Sequence, residues 1–400
     1  MKPVIVLGVN TPIGLAVLRD LSQHGYYTIG IGSLGAIGHA SKHCHHKVIR
    51  ATTKELVIDQ LIAVSKKFEQ PCLLAISETD ITLINQYRDQ LNLTIKVLVP
   101  PAEQMAIVLD KSKTLAAASE VGIECPTSLT IDSVAQLDSI ESQIIYPVVL
   151  KWANPLEVQK KLSQQGLKLH KLEFALTRQQ LRDKLSVYEG VGQFPLIQQY
   201  CHGVGLGQFF LCKDGEVHLE FQHIREHEWP PEGGTSTRCR SLDLSHHQAC
   251  LAQSRALLKK INWQGVAMVE YRYCREKNQY ILMEINGRFW GSLALSYHSG
   301  VNFASALVEL FNEKKSVNQC QYRQVSAIYM IPELRRLHRV AINKQLIKDP
   351  VFIATPIKDL LSLLTSYVML NCHYFVFSWR DPGPFIKDMK NVAAKVLGRR

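Results

Sequence analysis

Three hard oxygen donors stand close together in Met268-Val-Glu270-Tyr and Ile281-Leu-Met-Glu284-Ile-Asn286-Gly-Arg288. Both segments read as strands. Side chains alternate along a strand, so Glu284 and Asn286 project to one side, where Glu270 can join them from a neighbouring strand. Two carboxylates and one amide leave coordination positions open, which suits Mg²⁺, or Mn²⁺ in its place, bound together with the phosphate oxygens of a nucleotide. Arg288 follows two residues later, with a planar guanidinium suited to charge on a phosphoryl group in transfer. The alternative is that Glu270 and Glu284 are solvent-facing members of two ordinary strands.

The elements that must position these residues form two kinds of pattern. Pro3–Leu7, the turn Gly8-Val-Asn-Thr-Pro-Ile-Gly14, an apolar-periodic stretch to His24, and strands at Tyr27–Ile31, Cys72–Ile76 and Lys96–Val99 predict a βαβ unit with a parallel sheet. The turn lacks the full GxGxxG spacing and no acidic residue follows Ile31, so its glycines read as a close strand-to-helix turn. An NAD-dependent oxidoreductase built on this unit is therefore the weaker alternative. After Pro100-Pro101 a helix is predicted over Ala102–Val121, then strands at Pro147–Trp152, Pro195–Tyr200, Gly207–Cys212, Val217–Arg225, Gly265–Tyr273 and Gln279–Ile285. Near the end, Leu360–Trp379 holds no Asp, Glu, Lys or Arg, but its serines, Thr365, Asn371 and His373 favour a buried or surface-lying helix over a span.

A chain of 400 residues, 46% hydrophobic and 20% charged, predicts two or three packed units and excludes a disordered or fibrous protein. Ten cysteines without a CxxC pair, and no secretory signal, point to reduced thiols in the cytoplasm. The net charge of +11 is dispersed and no nucleic-acid signature accompanies it, which leaves a nucleotide, an acidic substrate or a membrane surface as its partner.

Glu284-Ile-Asn-Gly-Arg-Phe-Trp-Gly-Ser292 and Val266-Ala-Met-Val-Glu270 resemble the metal-binding strand and its partner strand in the ATP-grasp superfamily, within its carbamoyl-phosphate-synthase-like group of carboxylate-amine ligases. The resemblance runs from about residue 1 to 312. It implies a mixed α/β and α+β chain: a Rossmann-like unit over residues 1–105, an ATP-grasp domain over 106–315 in two parts (about 106–190 and 191–315), and a mostly helical extension over 316–400. It also implies ATP and Mg²⁺ as cofactors, with Glu270, Glu284 and Asn286 holding the metal. Lys111 in Leu109-Asp-Lys matches the lysine that opens the nucleotide site, and Lys151 in Tyr146-Pro-Val-Val-Leu-Lys the strand lysine that reaches the phosphates. Leu196-Ile-Gln198-Gln199-Tyr200 resembles the hinge strand at the adenine, with Gln199 where the family often has Glu.

In the resembling enzymes the region Gln222–Ser236 faces the acyl-acceptor pocket. Arg225 there is suited to gripping a carboxylate in a bidentate fork. His223 and His227 are candidates for a base on an amine, although free histidines are more often structural. The stretch 153–172, where the family has a flexible glycine-rich loop over the phosphates, contains only Gly166. Lys168 or Lys171 would then supply phosphate contacts. The implied reaction is ADP-forming, with a carboxylate activated as an acyl phosphate and passed to an amine. A non-catalytic ATP-binding module is the alternative. The implied partners are a small-molecule carboxylate and amine, with room for a homodimer and for peripheral membrane contact through 335–400.

Overall fold

The computed structural model describes residues 1–398 except 171, 320 and 370, with only the backbone at 156, so Lys171 lies outside the described residues. The first unit is a parallel sheet of β1 (Pro3–Leu7), β2 (Tyr27–Gly32), β3 (His46–Ile49), β4 (Cys72–Ala75) and β5 (Lys96–Val97), in the order β3-β2-β1-β4-β5. It carries α1 (Pro12–Gln23), α2 (Lys54–Ser65), α3 (Glu78–Gln86) and α4 (Arg88–Asn92). Val4 and Val6 pack into one core and Ile5 and Leu7 into another, as expected of a central parallel strand covered on both faces. In the first turn the N–H groups of Gly8 and Val9 both donate to the carbonyl of Ile31, at 2.9 and 3.2 Å. Those amides are engaged by the sheet, and a Cβ on Gly14 would come within 2.7 Å of the Gly8 carbonyl oxygen, so close packing accounts for the glycines.

The expected single helix over 102–121 is two, α5 (Ala102–Leu109) and α6 (Lys111–Glu120). Asp110 separates them with an extended backbone, and its carboxylate caps α6 by accepting from the N–H groups of Ser112 and Lys113. A four-stranded antiparallel sheet follows, formed by β6 (Ser128–Leu129), β7 (Val148–Lys151), β8 (Glu173–Ala175) and β9 (Leu196–Gln199) in the order β6-β9-β7-β8. With α7 (Leu137–Ile140), α8 (Pro155–Gln164) and α9 (Arg178–Ser186) it closes cores of its own.

The largest sheet has seven strands in the order β14-β13-β10-β11-β12-β15-β16. They are β10 (Val204–Lys213), β11 (Glu216–Trp229), β12 (Thr235–Leu242), β13 (Gly265–Cys274), β14 (Gln279–Asn286), β15 (Ser326–Ile328) and β16 (Cys372–Tyr374). Residues of α10 (Gln248–Lys260) pack into one core, and those of α11 (Leu293–Ser299) and α12 (Phe303–Phe311) into the other. The C-terminal residues form α13 (Met330–Ala341), α14 (Pro356–Ser366) and α15 (Gly383–Val396), and also add β15 and β16 to this sheet. Sheet pairing therefore crosses the boundary expected near 316. The helix expected over Leu360–Trp379 ends at Ser366, and His373 and Tyr374 pair with Ala327 and Ile328 instead. Among the described residues, no helix is long and apolar enough to cross a membrane.

Candidate active site

The register of β13 against β14 sets Glu270 opposite Glu284 and Met268 opposite Asn286. On its other side β13 sets Glu270 opposite Gly207 and Arg272 opposite Gly205 of β10. Along this face the sheet changes character: Met268 and Phe209 belong to the apolar core, whereas Glu270 and Arg272 begin a polar patch. Gly205 and Gly207 make room for it. A Cβ on Gly205 would meet Arg225 Cδ at 2.6 Å, and one on Gly207 would meet His223 Nε2 at 2.6 Å, so their absent side chains let β11 residues lie across β10.

Arg225 does form a bidentate fork, but the carboxylate it grips is Glu270, with Nη1 and Nη2 donating at 2.7 and 2.6 Å. Glu228 lies 3.6 Å from the same guanidinium, and accepts from Arg272 and from the Gly234 N–H, each at 3.2 Å. Burial opposes the charge on Arg225, but Glu270 and Glu228 hold it firmly protonated. Burial likewise opposes the charge on Glu228, yet Arg272 and Arg225 keep its carboxyl below the ordinary range. Two register shifts, between Arg225 and His227 and between His227 and Glu228, bring Glu228 beside Arg225. Strict alternation along β11 would not have predicted that pairing, whereas Arg272 was legible as the same-face neighbour of Glu270.

The two histidines are both engaged by neighbouring side chains. His223 is fully buried, edge-on to Phe209 and 3.2 Å from Ser292 Oγ, and burial holds its pKa well below the usual value, leaving it neutral. His227 is engaged by the C-terminal helices, with Nδ1 2.6 Å from Glu333 Oε1 and Nε2 3.7 Å from Asp359 Oδ1. Beside the polar patch, His223 Nε2 and Arg225 Nε are buried without hydrogen-bond partners among the described residues.

The lysines approach from the smaller sheet and from α6. The N–H of Lys111 donates to the Ala153 carbonyl at 3.1 Å, and its Nζ lies 3.5 Å from Glu284 Oε2. Lys151 closes β7, half-buried, and its pKa is lowered to about 8. Burial is the main cause, Glu284 opposes it, and the cations Lys111 and Arg272 add to it, so Lys151 stands in the field of this same group. Asn286 Nδ2 donates to Glu284 Oε1 at 3.2 Å, and Asn286 Oδ1 accepts from Arg288 Nη2 at 2.9 Å. Arg288 also donates to Glu78 Oε1 at 3.1 Å. Glu78 sits in the first turn of α3, two hundred and ten positions earlier, where no local pattern marks it as a site residue.

The hinge residues diverge. Gln198 is buried and donates to Ser128 Oγ at 3.0 Å. Gln199 is exposed, with its Oε1 accepting from the Thr127 N–H at 3.4 Å. The hydroxyl of Tyr200 donates to Asp349, with its oxygens at 3.0 and 3.1 Å, and burial together with that carboxylate raises its pKa. Where the resembling family has a glycine-rich loop, α8 packs Val158 and Leu162 against Trp152 and Tyr188. As a donor set, Glu284, Asn286 and Glu270 suit Mg²⁺: all three offer hard oxygens, Glu270 and Glu284 from facing register positions and Asn286 from two residues along β14.

Residues 224–332 match the family described as ATP-grasp in the biosynthetic pathway with Ter operon. No curated protein matches the chain. Among solved structures, the N5-carboxyaminoimidazole synthetase of Staphylococcus aureus complexed with ADP is similar at a TM-score of 0.62 and 10% identity, covering 86% of each chain. The L-amino acid ligase of Bacillus licheniformis gives 0.58 and 15%, covering 78% of this chain and 74% of that one. The biotin carboxylase domain of the Hydrogenobacter thermophilus 2-oxoglutarate carboxylase, a dimer with MgADP, ADP and bicarbonate, gives 0.61 and 14%, covering 79% and 71%. The chain thus shares the fold of these structures, and its match to an ATP-grasp family covers the strands that carry Arg225, Glu270, Glu284 and Asn286.

Proposed function

We propose that this protein is an ATP- and Mg²⁺-dependent ligase that activates a carboxylate as an acyl phosphate and couples it to an amine or similar nucleophile, releasing ADP. The observation that carries the reading is the meeting of Glu270 and Glu284 in register with Lys111 against Glu284 and Lys151 in the same field. The similar structures of the Staphylococcus aureus synthetase and of the Hydrogenobacter thermophilus carboxylase domain hold ADP, and a third is named a ligase. A carboxylate alone does not react with an amine, because its leaving group would be oxide; phosphorylation supplies a better one.

Bound at Glu284, Asn286 and Glu270, Mg²⁺ would neutralise phosphate charge during transfer. Lys111 and Lys151 hold the phosphates from the smaller-sheet side, and Arg288, fixed by Glu78 and Asn286, steadies the acyl phosphate. Arg225 holds Glu270 in place and completes the charge balance around it. The carboxylate attacks in line, and no protein nucleophile is required. Gln198, Gln199 and Tyr200 border the adenine through the backbone of the hinge rather than through their side chains, which have other partners.

A second reading, ATP binding without transfer, is favoured by one observation, the anchored α8 in place of a glycine-rich loop. Calorimetry of Mg-dependent ATP binding on the parent and on Glu284→Ala, followed by ADP release against pooled carboxylates and amines, separates the two. The ligase reading expects binding lost in the variant and ADP released by one pool. Binding indifferent to Glu284→Ala removes the metal site, and binding without ADP from any pool leaves the regulatory module.

A further inference from the structure

Helix α14 is inside out. Its buried residues are Asp359, Leu363 and Ser366, and it docks through polar contacts. Arg336 Nη1 and Thr355 Oγ1 each donate to Asp359 at 2.9 Å, and Arg238 Nη1 donates to Ser362 Oγ at 2.6 Å. The opposite face carries Ile357, Leu361 and Leu364 at 76, 57 and 54% exposure, and Val368, in the turn just after the helix, is 80% exposed. Spacings of four and three residues put the three helical side chains on one stripe, the reverse of an ordinary surface helix. Nearly half of the exposed large apolar side chains among the described residues fall within 334–369.

Along the segment that carries the stripe, the exposed charges have one sign. Within 334–369 the exposed charged side chains are Arg335, Lys344, Lys348 and Lys358, while Asp359 is buried against Arg336 and the half-buried Asp349 accepts from Tyr200. We propose that α14 and the segment leading into it form a docking surface for an anionic lipid bilayer, with the apolar stripe sunk into the headgroup boundary and the lysines among the phosphates. A second copy of the chain fits this face poorly, because pairing stripe to stripe would bring the lysines of both copies together. A protein partner fits it less well than a membrane does, since Lys358 stands beside the stripe, and interface cores are depleted in lysine while headgroups accept it. The proposal does not depend on the nucleotide reading.

The test is flotation of the full chain with vesicles of phosphatidylcholine alone and of phosphatidylcholine with phosphatidylglycerol, at low and raised salt. We expect partition into the phosphatidylglycerol vesicles that weakens with salt. Lys344→Glu, Lys348→Glu and Lys358→Glu together should lower the partition constant about a hundredfold, at about fivefold for each lysine. Leu361→Asp with Leu364→Asp should abolish partition while leaving the thermal melt followed by circular dichroism unchanged, since both side chains are exposed. Absence of partition into phosphatidylglycerol vesicles overturns the proposal, as does equal partition of the aspartate variant. A concentration-dependent dimer that the aspartate variant abolishes would assign the face to a second copy and overturn it equally.

Discussion

Nucleotide binding should take up a proton, and Lys151 is the residue that takes it. In the free protein its pKa is about 8, against an ordinary value of 10.5, because burial and the neighbouring Lys111 and Arg272 outweigh the support of Glu284. A triphosphate placed beside it adds negative charge and moves the pKa back towards the ordinary value. The free enzyme then lacks this proton at about half of the sites near pH 8, and at about a tenth near pH 7, so uptake per nucleotide should follow those fractions. Since the protonated form binds phosphate, affinity should fall about tenfold between pH ~7 and ~9. The sign for stability is the opposite. With the folded pKa below the unfolded one, protonated Lys151 opposes folding below about pH 8, by at most about 3 kcal/mol, and that cost vanishes as pH rises towards the unfolded value. Titration calorimetry in buffers of differing ionisation enthalpy reads the uptake directly. Lys151→Arg, which keeps the charge but cannot lose it, should bind with no uptake at either pH. Equal uptake in the parent and in Lys151→Arg would show that another group takes the proton and that the field around Lys151 has been misjudged.

Arg225→Met should destabilise the fold by about 3 to 5 kcal/mol in urea unfolding, because Glu270 and Glu228 would be left buried beside a missing cation, and an unchanged midpoint would place that cluster in water instead. Gly207→Ala should cost about 1 to 3 kcal/mol through contact with His223, and Gly207→Ala with His223→Ala should recover part of it; identical losses in the single and double variants would remove the steric explanation. Asp359→Ala should leave Arg336 poorly paired, cost about 3 kcal/mol, and open the 350–366 segment to limited proteolysis; a cleavage pattern identical to the parent's would argue that apolar packing alone holds α14. Hydrogen exchange should show the amides of α8 equally protected with and without Mg-ATP, and deprotection of 155–164 on binding would mean that this segment opens as a loop.

The parts of the site that lie within one strand, or on two strands joined by a short turn, are legible in the amino-acid sequence alone. Alternation places Glu284 beside Asn286, and the short β13–β14 connection makes a pairing with Glu270 natural. Lys111 and Lys151 are different: nothing local distinguishes them from surface lysines, and only their order along a resembling family singles them out. Arg225 shows where residue chemistry stops short. Its bidentate geometry is foreseeable, but its partner depends on the register of β11 across β10 to β13, which two side-chain-free glycines permit. Glu228 is hidden by bulges, and Glu78 by its position in another unit. Composition misleads at the C-terminus. The uncharged run from Leu360 to Trp379 suggests one helix, yet the chain turns after Ser366 and β16 finds a partner in β15, a tertiary pairing that no helix propensity anticipates.

The replacement of a glycine-rich loop by α8 changes which part of the molecule can exclude water, and an acyl phosphate requires that exclusion. Asn154 caps α8 by accepting from the Glu157 N–H, and Pro155 opens its first turn, so the helix is specified locally. Val158 and Leu162 are fully buried against Trp152, the residue next after Lys151. Drawing both into solvent to let this segment fold over the phosphates would cost about 3 to 6 kcal/mol, more than a hinging loop of glycines would need. The smaller sheet, in contrast, has cores separate from the two that run through the rest of the chain. Its approach as a body, carrying Lys151 and α8 together towards Glu284, leaves every one of those cores intact. Closure by the sheet is therefore the less costly route, and the one by which a ligase poor in glycine after its strand lysine would exclude water.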